Sequence, residues 1–202
     1  MINFFKKKTS EYIRKVKIYN KITNISKITR RYFAVNGFDG VITIIGVLVG
    51  NYIIGTINYK NVVISGFAVI ISLGISGIWS AYNSESAERT KEIHDLEKST
   101  LHNLNGTVIS RAQNYASVIL AGVNGISPVA TAFIPLIPFL FGKYLSVNIC
   151  YYAGFGLAFL ILFGIGLFLG RISRRNLVVS GIKMLVAGAF CIALSLLLNF
   201  ID

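Results

Sequence analysis

Apolar residues run along this chain in five long blocks, at residues 32–57, 62–82, 112–141, 149–170 and 177–200. A helix needs roughly 20 mostly apolar residues to cross a bilayer, and each block supplies that length. The breaks between them are short: Asn58 to Asn61, Gly142 to Asn148, and a basic turn from Arg171 to Asn176. One polar stretch, residues 83–111, is longer. It holds no Gly or Pro from Asn83 to Asn105, so it is predicted to carry the second helix onward rather than to form a loop. The pattern predicts an all-α integral membrane protein. Its five transmembrane helices occupy residues 32–202, with a short cytoplasmic helical extension between the second and third.

Composition supports this reading. Hydrophobic residues make up 54% of the 202-residue chain and charged residues 14%, whereas a soluble domain carries about a quarter charged residues. The net charge of +12 raises the possibility of nucleic acid, but the placement of the charge argues against it. Ten Lys and Arg lie in residues 1–31, and eight more lie in residues 83–111, in the basic turn and at Lys183. Only Lys60 and Lys143 fall in the alternate loops. That is a positive-inside signal. It predicts a cytoplasmic N-terminus, an outer C-terminus at Asp202 and residence in a membrane, by expectation a prokaryotic cell membrane. No secretory signal is expected, because a full-length span follows the basic stretch. Within residues 1–31, Tyr12, Val16, Tyr19 and Ile22 recur at helical spacing between lysines. They form either a helix on the membrane surface or a basic tail. Cys150 and Cys191 lie in apolar blocks and read as small core residues rather than a disulfide pair.

Charge inside an apolar block is the first sign of chemistry. Asp39 lies in the first span with no nearby cation in sequence, and an ionised carboxylate there costs at least a few kcal/mol. It is either functional or close enough to the interface to be wet. Asn36 and Thr43, three residues before and four after, share its helix face. The three form an oxygen-bearing strip that suits a hard or borderline cation. A second set, Glu85, Glu88, Glu92 and Asp95, is spaced three, four and three, which makes one stripe on a helix. His102 falls near its edge and His94 points elsewhere. The stripe could gather divalent cations, or it could be a solvated face paired with Arg89, Lys91 and Lys98. Pro128, Pro135 and Pro138 either kink the third span or open it around a pathway. Small residues four apart, such as Gly46 and Gly50 or Gly166 and Gly170, suit close helix packing. Gly-x-Ser-x-Gly, His-Glu-x-x-His and P-loop patterns are missing from the sequence, so no enzyme and no tightly bound cofactor is expected.

At these residues the sequence resembles the vacuolar iron transporter family. Asp39-Gly40-Val41-Ile42-Thr43 is similar to the Asp-Gly-x-x-Thr motif of that family's first span. Gly77 to Trp79 with Ser84-Glu85 resembles the exit of its second span. Pro135-Leu136-Ile137-Pro138-Phe139 resembles its Pro-x-x-Pro-aromatic segment, and Gly181 to Gly188 the start of its last span. The resemblance implies a five-helix homodimer that moves Fe2+ or Mn2+ out of the cytoplasm, commonly in exchange for protons. Asp39 would lie in the pathway, and cytoplasmic glutamates, here beginning at Glu85, would gather metal. The sequence departs from the family pattern at two places. Gly74 stands near the family's second-span Met, with no acid between Lys60 and Glu85, and the polar extension is short. A membrane scaffold or regulator that keeps the fold without transporting is therefore the competing expectation.

Overall fold

The computed structural model describes residues 16–197. Tyr12, Lys15 and Asp202 lie outside the described residues, and with them part of the N-terminal pattern and the C-terminal end. Five long helices follow in order: α1 (Ile25–Ile53), α2 (Tyr59–Thr100), α3 (Val108–Leu140), α4 (Val147–Ser173) and α5 (Leu177–Leu197). Residues 16–23 form a shorter helix before α1, and there is no strand among the described residues. All five long helices are long and apolar enough to span a membrane, so the chain is an integral membrane protein.

The first four helices start before their apolar blocks, because polar residues without Gly or Pro do not end a helix, while α1 stops at Ile53, short of its block's end. α1 begins at Ile25, seven residues before the first block. α2 continues unbroken through the polar stretch to Thr100, and the expected helical extension therefore exists as a helix. It stops where Leu101 and Gly106 take left-handed φ values of 54° and 74°. α3 keeps all three prolines inside one continuous helix.

The chain divides into two compact units. One comprises the described residues up to Tyr32 together with Gly77–Asn124, and the other comprises Phe33–Ser76 with Gly125 onward. In the first, Ile25, Ala116 and Leu120 form a small core with Ile28, Tyr32 and Ile119 around it. The short helix ends at Asn24, whose φ of 52° reverses the chain. Asn tolerates this conformation better than most residues. The Asn20 side-chain oxygen accepts the Ser26 backbone N–H at 2.9 Å, which supports the start of α1. Tyr19 packs on Tyr115 with ring centroids 5.5 Å apart, so part of the short helix's apolar face meets α3.

The second unit has two cores. Ile44, Leu48, Val62, Leu136, Phe139, Cys150 and Tyr151 lie in one, and Ala34, Val41, Ile45, Ala158, Leu162 and Ile165 in the other. Both cysteines are free. α4 and α5 meet backbone to backbone: a Cβ on Gly166 would lie 2.6 Å from Gly181 Cα and from the Ser180 carbonyl oxygen. The turn between them is short. Arg174 caps α4 in a left-handed conformation, and the Asn176 side-chain oxygen accepts N–H groups from Val178 and Val179, capping α5.

Candidate functional site

Asp39 belongs to the second unit. One face of α1 is pressed against α3 there, and the contact explains the glycine beside it. A Cβ on Gly40 would sit 2.5 Å from the Pro128 carbonyl oxygen, and one on Gly37 would sit 3.1 Å from Ser127 Oγ. Two hydroxyls of α3 reach across: Ser127 donates to the Phe33 carbonyl at 2.7 Å, and Thr131 donates to the Gly37 carbonyl at 2.8 Å. Nothing in the residue pattern points to these two links. They bind α1 through its own carbonyls, which a charge pattern does not reveal.

Asp39 stands about a quarter turn from Gly40 and is exposed. Its carboxylate has no ion pair or hydrogen-bond partner among the described residues. The Thr43 hydroxyl donates to the Asp39 backbone carbonyl at 2.7 Å, which leaves the hydroxyl oxygen able to accept or to ligate. Asn36, Asp39, Thr43, Gly46 and Gly50 are spaced three, four, three and four, so they share one stripe of α1. Added Cβ atoms at Gly46 and Gly50 would meet nothing within 4 Å. The stripe is polar at one end and lacks close side-chain neighbours at its two glycines, with Asp39 exposed and Asn36, Thr43, Gly46 and Gly50 half-buried.

The acidic set of α2 lies in the first unit and is differently placed. Arg89 is buried between the acids. Its guanidinium lies 3.5 Å from Glu85 and 3.4 Å from Glu92, and it donates to the Gln113 side-chain oxygen at 2.9 Å. Gln113 in turn donates to Glu92 at 2.8 Å, and the Tyr32 hydroxyl donates to Glu85 at 2.6 Å. The Arg89 Nε is buried without a partner. Glu88 and Asp95 are exposed, and His94 Nδ1 lies 3.4 Å from Glu97 Oε2. The stripe expected to gather metal is thus divided. Glu85 and Glu92 already hold a cation, the guanidinium, while Glu88 and Asp95 are exposed and form no ion pair with it. Among the described residues, no three His, Cys, Asp or Glu side chains are arranged to hold a metal ion. Of the two expectations for this stripe, the pairing of its acids with Arg89 is present at Glu85 and Glu92. Gln113 and Tyr32 escaped the sequence reading. A polar Gln opening an apolar block was the available signal.

Gly74, near the family's methionine position, is buried in the second unit, and a Cβ there would lie 2.9 Å from Val129 Cγ2. α2 approaches α3 closely at this point, so a long side chain has no room without movement of its neighbour.

Comparisons with known proteins agree with the motifs. The VIT family model matches residues 101–199, which hold the turn after α2 and helices α3 to α5. The chain is similar to an uncharacterized protein of Methanocaldococcus jannaschii, 30% identical over 167 residues, covering 81% of this chain and 84% of the relative. No solved structure matches it. Five apolar helices, the Asp39-Gly40-x-x-Thr43 motif on the first and the proline pair on the third accompany these matches, and on their combined weight the chain belongs to the VIT family.

Proposed function

We propose that the protein is a homodimeric transporter moving a divalent cation such as Fe2+ or Mn2+ out of the cytoplasm, with Asp39 binding the ion and exchanging it for protons. The observation that carries this reading is the exposed Asp39 on the stripe of α1. A carboxylate left facing hydrocarbon costs a few kcal/mol, and a Cβ added at Gly46 or Gly50 on the same stripe would meet nothing within 4 Å among the described residues. A second copy packed along α1 would remove Asp39 from lipid, with small residues allowing the backbones to close. Two sets of Asn36, Asp39 and Thr43 would then face one another and offer oxygens that suit a hard or borderline cation. Glu88 and Asp95 would attract cations through their field rather than chelate them. The positive-inside charge distribution supports a cytoplasmic N-terminus and a cytoplasmic α2 extension, with the C-terminus outside. The residue pattern gives no support to an enzymatic role.

Uptake of Mn2+ into proteoliposomes tests the reading, wild type against Asp39→Ala. Wild type transports and the variant does not. A chain carrying Gly50→Cys, with Cys150 and Cys191 changed to Ala, cross-links to a dimer on oxidation. An inert wild-type protein, or a monomer that transports, refutes the proposal. The scaffold reading has its own support in Gly74, whose close packing on Val129 leaves no place for a thioether ligand, and an inert wild-type protein is the outcome it expects.

A further inference from the structure

The first unit holds a groove of about 490 Å³ lined by Val16, Lys17, Asn20, Ile25, Thr29, Arg30, Tyr115 and Ile119, among others. It is built by the left-handed turn at Asn24, which folds the short helix beside the start of α1. Its composition is two-sided. Val16, Ile25, Tyr115 and Ile119 make an apolar floor, while Lys17 and Arg30, both exposed, supply two cations. Thr29 contributes a buried hydroxyl with no hydrogen-bond partner, although a buried polar atom ordinarily has one. The groove also lies where the basic residues of the chain give way to the apolar run of α1, the level of lipid headgroups.

We propose that this groove binds an anionic phospholipid, its phosphate between Lys17 and Arg30 with the Thr29 hydroxyl donating to a headgroup or glycerol oxygen, and its upper acyl methylenes on Ile25, Tyr115 and Ile119. Charge complementarity selects this occupant. Residues 1–15 carry Lys6, Lys7, Lys8, Arg14 and Lys15 against one acid, Glu11, so the sequence before the groove's first residue is cationic as well. An uncharged lipid would satisfy the floor and leave both cations without a counter-ion, Arg30 having only the Ser26 carbonyl as an acceptor at 3.2 Å. The volume falls within the usual range for small-ligand sites, roughly 300–1,000 Å³.

The test is calorimetric titration of the full chain in neutral detergent with dioctanoyl phosphatidylglycerol, dioctanoyl phosphatidylcholine and inorganic phosphate. Phosphatidylglycerol binds at one site per chain, phosphatidylcholine binds at least about tenfold more weakly, and phosphate alone does not displace the lipid. Lys17→Gln with Arg30→Gln weakens phosphatidylglycerol by about thirtyfold, the expectation for losing two basic contacts with an anionic headgroup. Lys91→Gln with Lys98→Gln, which removes equal charge elsewhere on exposed positions, leaves binding unchanged. Thr29→Val weakens it several-fold without altering the melting temperature of the unliganded protein. Equal affinity for the two lipids overturns the proposal, as does an equal loss in the control pair, which would mark a general charge effect. Full displacement by phosphate would assign the site to a free anion and also overturn it.

Discussion

The acids of α2 and the acid of α1 face opposite circumstances. Glu85 and Glu92 share one guanidinium, and Tyr32 and Gln113 donate to them as well. Asp39 has no such company among the described residues and is exposed on its helix. A paired acid inside a fold is accounted for by structure, since the partner repays part of its desolvation. An unpaired one in an apolar helix still needs an account, and in a membrane the account is usually function. The cluster that looked richest in ligands is the one already satisfied, and the solitary residue is the better candidate for handling an ion.

Four variants would break or sharpen this contrast. The largest effect is expected from Asp39→Asn, which removes the charge but not the size. Uptake in proteoliposomes should fall to background, while the protein should insert and melt as well as wild type or better. Normal transport by this variant would move the pathway away from α1. Next comes Arg89→Met, which strands Glu85 and Glu92. Breaking a buried pair costs 3–5 kcal/mol, and with the Glu92 side chain 44% exposed the loss should be nearer about 2 kcal/mol. It should appear as a lowered melting temperature in detergent. An unchanged melting temperature would mean that the network stabilises nothing.

Gly40→Ala probes the contact that holds Asp39 in place. The new methyl meets the Pro128 carbonyl, and overpacking of this kind costs about 1–3 kcal/mol. Stability should drop and uptake should fall with it, because α1 must shift. The smallest effect is expected from Glu88→Gln with Asp95→Asn. Those acids act only through their field, so the apparent Michaelis constant for metal should rise a few-fold at low salt. The difference should fade as salt shortens the Debye length to about 8 Å or less. A loss that persists at high salt would restore the chelating role that the geometry argues against.

Much of the architecture was legible in the sequence because it rests on periodicity and length. Five apolar blocks became five helices, and the lack of Gly or Pro after Asn83 foretold the continuation of α2. The helix ends were less legible. Ser26 to Arg31 are polar apart from Ile28, and helix-compatible, so α1 starts well before its apolar block. Of the site, Asp39 and its face with Asn36 and Thr43 could be read from spacing alone. The fate of the acidic stripe could not. Spacing put Glu85 and Glu92 on one line, but Tyr32 and Gln113 lie 53 and 21 residues from the acids they serve. Gly40 was visible as a motif letter, and its reason, a backbone passing at van der Waals distance, exists only in three dimensions.

The backbone contact between α4 and α5 bears on how the protein is made. Gly166 and Gly170 on one helix meet Ser180 and Gly181 on the next, and only a short capped turn separates them. Contacts so local in sequence form quickly, because little chain entropy is lost in closing them. The last two helices can therefore leave the insertion machinery as a finished hairpin, already closed along its glycines before it settles against α1. Replacing Gly166 by a larger residue would then do its damage during synthesis, and the defect would be seen in the yield of inserted chain before it was seen in any property of the folded protein.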